Sequence, residues 1–255
     1  MRPRLSLVAL TFILPVFIFH NSFAAEKSTS VQDNKNETSA IQKAIQEDLQ
    51  KMKKINQAQP RRLPDPEITG VEFELGNNPV EGSKSARLII VQFSDYTCSH
   101  CAYHVRDTYP KIYKEYIATG KLQYTVVDYP HPRNLPAVKA AEAALCAADQ
   151  GKYWEFHDDI MADQSSIEDL DALAVFVDLD MDEYKSCMDS HKYSESVNKH
   201  IMIASKLKIP SVPGFILAEV NPENPKKVKG ICYIRGAKPF DHFQAEIERA
   251  ILNLP

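Results

Sequence analysis

The stretch that decides the fold is Val91-Gln92-Phe93-Ser94-Asp95-Tyr96-Thr97-Cys98-Ser99-His100-Cys101. It continues an apolar, strand-like run that begins at Leu88, and it leads into a pattern of helical spacing that Gly120 ends. The apolar positions of that pattern are Val105, Tyr109, Ile112, Tyr113, Tyr116 and Ile117. The stretch therefore predicts a buried strand, a short turn and a helix that begins at the two cysteines.

Cys98 and Cys101 lie one helical turn apart on one face, close enough for a disulfide. At the start of a helix, unpaired N–H groups and the helix dipole favour negative charge, so a thiolate at Cys98 is stabilised and its pKa is lowered. His100, between them, stabilises the thiolate further if it is protonated or donates to the Cys98 sulfur. Because a stabilised reduced form makes the disulfide oxidising, the pair predicts redox activity.

Three other interpretations of the cysteine pair remain open. A structural disulfide seldom joins helical cysteines at this spacing. A zinc site could use His104 as a third ligand, but no second Cys or His pair stands at the usual spacing. The third is a pair of inert core cysteines. Haem attachment is excluded, because residue 102 is Ala where that motif requires His.

The N-terminus is typical of a secretory signal peptide, residues 1–24. Arg2 and Arg4 precede an apolar run over 5–19, and small residues follow at 22–25. An uncleaved membrane anchor is the alternative, but the run is short for a span of about 20 residues. The formal charge of −4 becomes −6 without the two arginines, which argues against nucleic acid as a partner. We expect export into a compartment that permits disulfides.

Residues 25–67 form a polar segment, an amphipathic helix over 39–57 and a linker rich in proline. The helix carries one apolar stripe: Ile41, Ile45, Leu49, Met52 and Ile55. Such a stripe normally packs against a partner, which is either a second copy of the chain in a homodimer or the chain's own domain. A frayed surface helix is the third possibility. The main domain is expected over 68–255.

The rest of the chain predicts an α/β fold. A strand over 122–127 is followed by four or five helices, about 133–207, and by an antiparallel strand pair over 214–219 and 230–235. A last helix carries apolar residues from Phe240 to Ile251. The loop expected over 76–85 separates a predicted strand over 71–75 from the strand that begins at Leu88.

Three segments together resemble one family: Phe93 to Cys101, Ala140 to Met161, and Ser211-Val212-Pro213-Gly214-Phe215. The chain from Val71 onward resembles the DsbA-like thiol–disulfide oxidoreductases of the bacterial periplasm, in the thioredoxin superfamily. The resemblance implies a thioredoxin fold with an inserted all-helical domain. It also implies that Pro213 is cis and faces the redox pair, and that the Val212 backbone holds an extended substrate strand.

This resemblance implies catalysis by Cys98 and Cys101, with His100 tuning the pKa, and we expect neither cofactor nor metal. The implied partners are reduced or unfolded exported proteins and a membrane redox partner that reoxidises the pair. The chain departs from the family at Gln92, where the family usually holds an acid that accepts the proton of the second thiol. Glutamine cannot accept that proton, so Asp95 or a water substitutes, or deprotonation is slower.

Our functional interpretation is an exported enzyme that introduces disulfides into secreted proteins. A dimeric disulfide isomerase or reductase, or a bifunctional enzyme, is the first alternative, and a non-catalytic dimeric binding or holdase module is the second. Cys146 and Cys187 lie on different predicted helices, where they form a structural disulfide or pack as two buried thiols. Cys232 is expected to be buried and inert.

Overall fold

The computed structural model describes residues 39–52 and 63–254. The predicted signal peptide, the polar segment over 25–38, the end of the predicted helix over 53–57 with Ile55, and the linker residues 58–62 lie outside these ranges. The chain divides into two units, Met1–Arg62 and Leu63–Pro255. In the first unit, residues 39–52 form a helix, α1, and the side chains of its apolar stripe are about half exposed: Ile41, Ile45, Leu49 and Met52. No helix among the described residues is long and apolar enough to cross a membrane.

The second unit is built on a six-stranded sheet with the order β1-β6-β5-β3-β4-β2. Its strands are β1 (Glu72–Glu74), β2 (Val80–Glu81), β3 (Leu88–Ser94), β4 (Leu122–Asp128), β5 (Gly214–Val220) and β6 (Lys227–Arg235). Strands β3 and β4 run parallel, and the other pairs are antiparallel. Every residue of β3 and β4 is buried, as expected of central strands that are covered on both faces.

The helices fall in three groups along the chain. After β3 come α2 (Ser99–Asp107), α3 (Tyr109–Ile112) and a π-helical turn (Tyr113–Ile117). Between β4 and β5 lie α4 (Leu135–Asp149), α5 (Tyr153–Ala162), a 3-10 segment (Gln164–Asp169), α6 (Leu170–Phe176), α7 (Met181–Asp189) and α8 (Ser194–Lys206). The chain ends with α9 (Phe240–Leu252). The sequence thus predicted the inserted helices and the final hairpin with its helix.

Two local predictions were wrong. The expected single helix after the cysteines is divided at Thr108, because Pro110 has no N–H to donate and its ring blocks the preceding turn. The expected loop over 76–85 contains β2, which pairs with β4 through Val80 and Glu81. The two residues of β2 are too few to show the alternation of apolar and polar residues by which a strand is recognised in a sequence. At Gly82, with a φ of +101°, an added Cβ would lie 2.6 Å from the Leu122 carbonyl oxygen, so only glycine fits.

Three apolar cores surround the sheet. One face packs against α9 through Phe243 and Ile247, and the opposite face packs against α8 and Ile209. The third core belongs to the helical insert, and it includes Cys101 and Val105 of α2. The redox helix is therefore shared between the sheet and the insert, so packing inside the insert fixes the helix that carries the cysteines.

Cys146 and Cys187 are joined in a disulfide that links α4 to α7. Both residues are buried in the core of the insert. Because the two cysteines are separated by 41 residues, the bond closes a long loop and restricts the unfolded chain.

We expect the Cys146→Ala/Cys187→Ala variant to lose roughly 2–4 kcal/mol of unfolding free energy, since loop closure of this length contributes that much. Urea denaturation of the purified variant measures this loss. The control is Cys232→Ala, which removes a half-buried free thiol and should change the unfolding free energy by less than about 1 kcal/mol. Equal stability of the double variant and the unmodified protein would contradict the prediction.

Candidate active site

The redox pair occupies the start of α2. Cys98 is the N-cap residue, and its sulfur accepts a hydrogen bond from the backbone N–H of Cys101 at 3.2 Å. The cap position of a helix is where a side-chain acceptor meets unpaired N–H groups. A negative sulfur is stabilised at this position, as the sequence predicted. Both cysteines are free thiols in the structure.

The two sulfurs have opposite environments. Cys98 is half-buried, and hydrogen bonds from the Cys101 thiol, and from the backbone N–H groups of Cys101 and His100, lower its pKa to about 7 against the opposing effect of burial. Cys101 is 0 % exposed, and burial raises the pKa of its thiol well above the usual range. At neutral pH about half of the accessible sulfur is thus the reactive thiolate, and the buried one is a protonated donor.

Hydrogen bonds from other parts of the fold hold the loop before α2. The carboxylate of Asp95 accepts from the backbone N–H and the hydroxyl of Thr97, each at 2.7 Å. Asn134 donates to the Thr97 hydroxyl at 2.9 Å, and Gln164 of the insert donates to the Tyr96 carbonyl at 2.6 Å. The orientation of Cys98 is therefore set by residues on both sides of the redox motif.

The remaining predicted site residues are His100, Val212 and Pro213. His100 is exposed, and its backbone N–H is among the donors that lower the pKa of Cys98. The peptide bond Val212–Pro213 is cis, and β5 begins at the next residue, Gly214, which pairs with Phe93 of β3. Val212 packs against the same core as Cys98. The roles given to His100, Val212 and Pro213 stay predictions.

Gln92 belongs to a buried, uncharged chain of hydrogen bonds. Its amide donates to the Ser94 hydroxyl at 3.2 Å, and its oxygen accepts from the Tyr124 hydroxyl. His104 contacts that hydroxyl through Nε2 at 3.1 Å. Since the Tyr124 proton goes to Gln92, the His104 Nε2–H must be the donor, and burial lowers the pKa of His104 to about 3. His104 is thus a neutral residue on the buried side of α2. No group of three His, Cys, Asp or Glu suited to a metal occurs in the described ranges.

Sequence reasoning missed a set of buried polar residues behind the redox pair: Tyr96, Asp128, Tyr153, His157 and His200. They come from a loop, a strand end and two helices, so no local spacing connects them. The one available signal was Asp128, a charged residue that ends an otherwise uncharged strand.

Comparison with known proteins agrees with this architecture. A family model described as Thioredoxin matches residues 74–233. The Rickettsia typhi protein named "Putative protein-disulfide oxidoreductase" is 28% identical over 213 residues, which is 80% of this chain and 73% of that protein. "Disulfide bond formation protein D" of Bacillus subtilis is 24% identical over 144 residues, 53% of this chain and 65% of that protein.

Among solved structures, alpha-DsbA1 of Wolbachia pipientis has a TM-score of 0.59 at 24% identity, and the match covers 72% of this chain and 97% of that one. That likeness confirms the predicted fold class. The chain belongs to the thioredoxin family, and within that family it is similar to proteins named as protein-disulfide oxidoreductases and DsbA proteins.

The lowered pKa of Cys98 predicts how its reactivity depends on pH. The rate of alkylation by iodoacetamide should rise with pH and reach half its plateau near pH 7, because only the thiolate reacts. The same shift means that the reduced protein gains stability over its unfolded chain as pH rises from about 7 to about 8.5, and loses this contribution as pH falls through 7. Peptide mapping of the alkylated protein over a pH series measures the midpoint.

The matched variants are Cys101→Ala and Cys232→Ala. The first removes the largest stabilising hydrogen bond and should move the midpoint of Cys98 alkylation upward, whereas the second should leave it in place. A midpoint near about 8.5, the value of an unperturbed cysteine, in the unmodified protein would show that the N-cap does not stabilise the thiolate.

Proposed function

We propose that the protein is an exported oxidase that introduces disulfides into secreted proteins through the Cys98-Ser99-His100-Cys101 pair. The observation that carries the proposal is the asymmetry of the two sulfurs, one half-exposed with a pKa of about 7 and one fully buried. A thiolate stabilised at Cys98 favours the dithiol form, so the disulfide form readily gives up its bond to other thiols.

The exchange proceeds in two steps. A substrate thiolate attacks the Cys98 sulfur, the Cys98–Cys101 bond breaks, and Cys101 leaves with the electron pair and takes up a proton. A second substrate thiolate then attacks the substrate sulfur of the mixed disulfide, and Cys98 leaves as the stabilised thiolate. The substrate dithiol loses two electrons, which the enzyme disulfide gains. A membrane redox partner would remove these electrons and restore the disulfide.

Substrate binding is proposed to use the backbone beside the redox pair. Val212 precedes β5 and so lies outside the ladder of the sheet, with its backbone groups open to an added strand. Pairing of this kind reads the substrate main chain and ignores its side chains, which suits an enzyme that acts on many unfolded proteins. Export is supported by the leader over 1–24, and periplasmic location by the family.

The equilibrium of the Cys98–Cys101 disulfide with glutathione tests the oxidase proposal. We expect a reduction potential near about −120 mV, that of a strong oxidant, because the reduced form holds a stabilised thiolate. His100→Ala should make the potential more reducing if the ring tunes Cys98, whereas His131→Ala, a change on another loop, should have no effect. A thioredoxin-like value near about −270 mV would favour a reductase or isomerase.

A dimeric isomerase or bifunctional enzyme is the second candidate, and the exposed stripe of α1 favours it. Four apolar side chains along one face of this helix are 49–62% exposed, and helices gain most of their stability by packing such a face. A second copy of α1, with the same stripe, is the proposed partner.

The Ile45→Glu/Leu49→Glu variant tests the dimer, because two charges on the stripe would prevent helix pairing. We expect light scattering to give a dimer mass for the unmodified protein and half that mass for this variant. Gln42→Glu/Gln46→Glu adds the same charges at the same spacing away from the stripe, and it should remain dimeric. A monomeric unmodified protein, or a dimer that survives the first variant, would refute pairing through α1.

A further inference from the structure

Five residues form a buried polar cluster behind the redox pair: Tyr96, Asp128, Tyr153, His157 and His200. Each is at most 4 % exposed. Six of their side-chain atoms have no hydrogen-bond partner among the described residues: both Asp128 oxygens, the two tyrosine hydroxyls, Nε2 of His157 and Nδ1 of His200. Such a concentration is unusual, since nearly all buried polar groups are hydrogen-bonded.

The members of the buried polar cluster lie close to one another. Nδ1 of His200 is 3.6 Å from an Asp128 oxygen, and the His157 ring lies 5.6 Å from the ring of Tyr96 and 5.9 Å from that of Tyr153. Burial is the largest cause that raises the pKa of both tyrosines, and the charge of Asp128 also raises both. The unpaired atoms therefore share one polar space, and such groups in protein interiors are bridged by internal water.

The buried polar cluster reaches the redox pair through Ser94. Ser94 lies directly opposite Asp128 in the parallel register of β3 and β4, where neighbouring strands are about 4.8 Å apart. The Ser94 side chain hydrogen-bonds the Cys101 sulfur and lowers its pKa against the larger effect of burial. One hydroxyl thus stands between the buried sulfur and the strand end that carries Asp128.

Cys101 needs a group with which to exchange a proton. Its sulfur is buried and alternates between thiol and thiolate during exchange, so solvent cannot supply or remove the proton directly. The buried carboxylates in the described ranges are Asp95, Asp128 and Glu142. Asp95 is held by the two hydrogen bonds of Thr97, and Glu142 faces His191 on the insert. Asp128 is the one that lies across from Ser94 and has no hydrogen bond.

We infer that Asp128 exchanges the proton of Cys101 through the Ser94 hydroxyl and internal water, and that His200 connects Asp128 to solvent. The inference deepens the proposed function and rests on it. His200 lines a surface groove beside α8 together with Phe73, Lys199 and Ile203, so its ring lies between the groove and Asp128. Asp128 contacts neither sulfur atom. It acts on Cys101 only through Ser94 and water, and we therefore call it a positioning residue.

The proton balance is complete in both directions. When a substrate thiolate bonds to Cys98, Cys101 leaves with the electron pair and takes the proton of Ser94. Solvent supplies a proton through His200 to the Asp128 carboxylate, which passes it by way of water to Ser94. When Cys101 instead attacks a mixed disulfide at Cys98, its proton follows the same path outward and the other thiolate leaves. The ionisable groups that face Asp128 are His200 from α8, Tyr153 from α5 and Tyr96 from the loop before α2.

The test follows the reaction of the reduced full-length protein, in a Cys232→Ala background, with 5,5′-dithiobis(2-nitrobenzoate). Cys98 attacks the reagent and releases one coloured thiolate; Cys101 then attacks Cys98 and releases a second. The first phase reports the Cys98 thiolate, and the second reports loss of the Cys101 proton. Release of only one equivalent by this parent protein would overturn the proposed function itself, before the role of Asp128 is reached.

We expect Asp128→Asn to slow the second phase about ten-fold or more at pH 7, and to change the first phase by less than about two-fold. The second phase of the variant should rise about ten-fold per pH unit where that of the parent levels off, because hydroxide then replaces the carboxylate. Ser94→Ala, which removes a single oxygen and preserves packing, should slow the second phase as well. Glu142→Gln, the matched loss of a buried carboxylate, should slow neither phase.

The Gln92→Glu/Asp128→Asn variant separates proton transfer from a structural effect. A carboxylate at residue 92 would stand beside Ser94, so it should restore the second phase and its plateau with pH. Unchanged second phases in Asp128→Asn and Ser94→Ala, or a loss in Asp128→Asn that Gln92→Glu does not restore, would overturn the inference. If Asp128→Asn does not fold, Ser94→Ala decides the matter: a second phase as fast as that of the parent protein would overturn the inference.

Discussion

The hydrogen bond from the Cys101 backbone N–H to the Cys98 sulfur is the constraint on which the rest of the structure depends. It exists only because β3 ends at Ser94 and α2 begins at Ser99, which makes Cys98 the N-cap. The same geometry that exposes one sulfur and stabilises its thiolate turns the other sulfur into the interior. The reactivity of Cys98 and the different burial of the two sulfurs thus have one cause, which is the position of the turn between β3 and α2.

The helical insert contributes to that turn from outside the thioredoxin core. Its apolar core contains Cys101 and Val105 of the redox helix, and Gln164 holds the backbone carbonyl of Tyr96. The disulfide between α4 and α7 restrains this packing. A change inside the insert therefore acts on the redox pair through contacts with α2 rather than through the sheet.

The polar groups beneath the pair fall into two sets with different capacities. Gln92, Tyr124 and His104 form a neutral hydrogen-bonded chain in which the donor and the acceptor of each bond are fixed. This chain positions Ser94 and does not exchange protons at neutral pH. The set around Asp128 has unpaired donors and acceptors and contains the ionisable groups. Because residue 92 is not an acid, the proton of Cys101 is exchanged with Asp128 on the neighbouring strand.

The sequence by itself determined the cysteine pair, the strand that precedes it, the helical insert and the final hairpin. Each of these follows from the spacing of nearby apolar residues or from a motif of adjacent residues. The sequence misjudged β2, whose two residues are fixed by pairing with β4, and it could not connect Asp128 with Ser94 and His200. Those contacts join residues far apart in the chain, and they arise only when parallel strands align and α8 packs against the sheet. Which thiol is buried, and which carboxylate lies behind it, was decided by the tertiary structure alone.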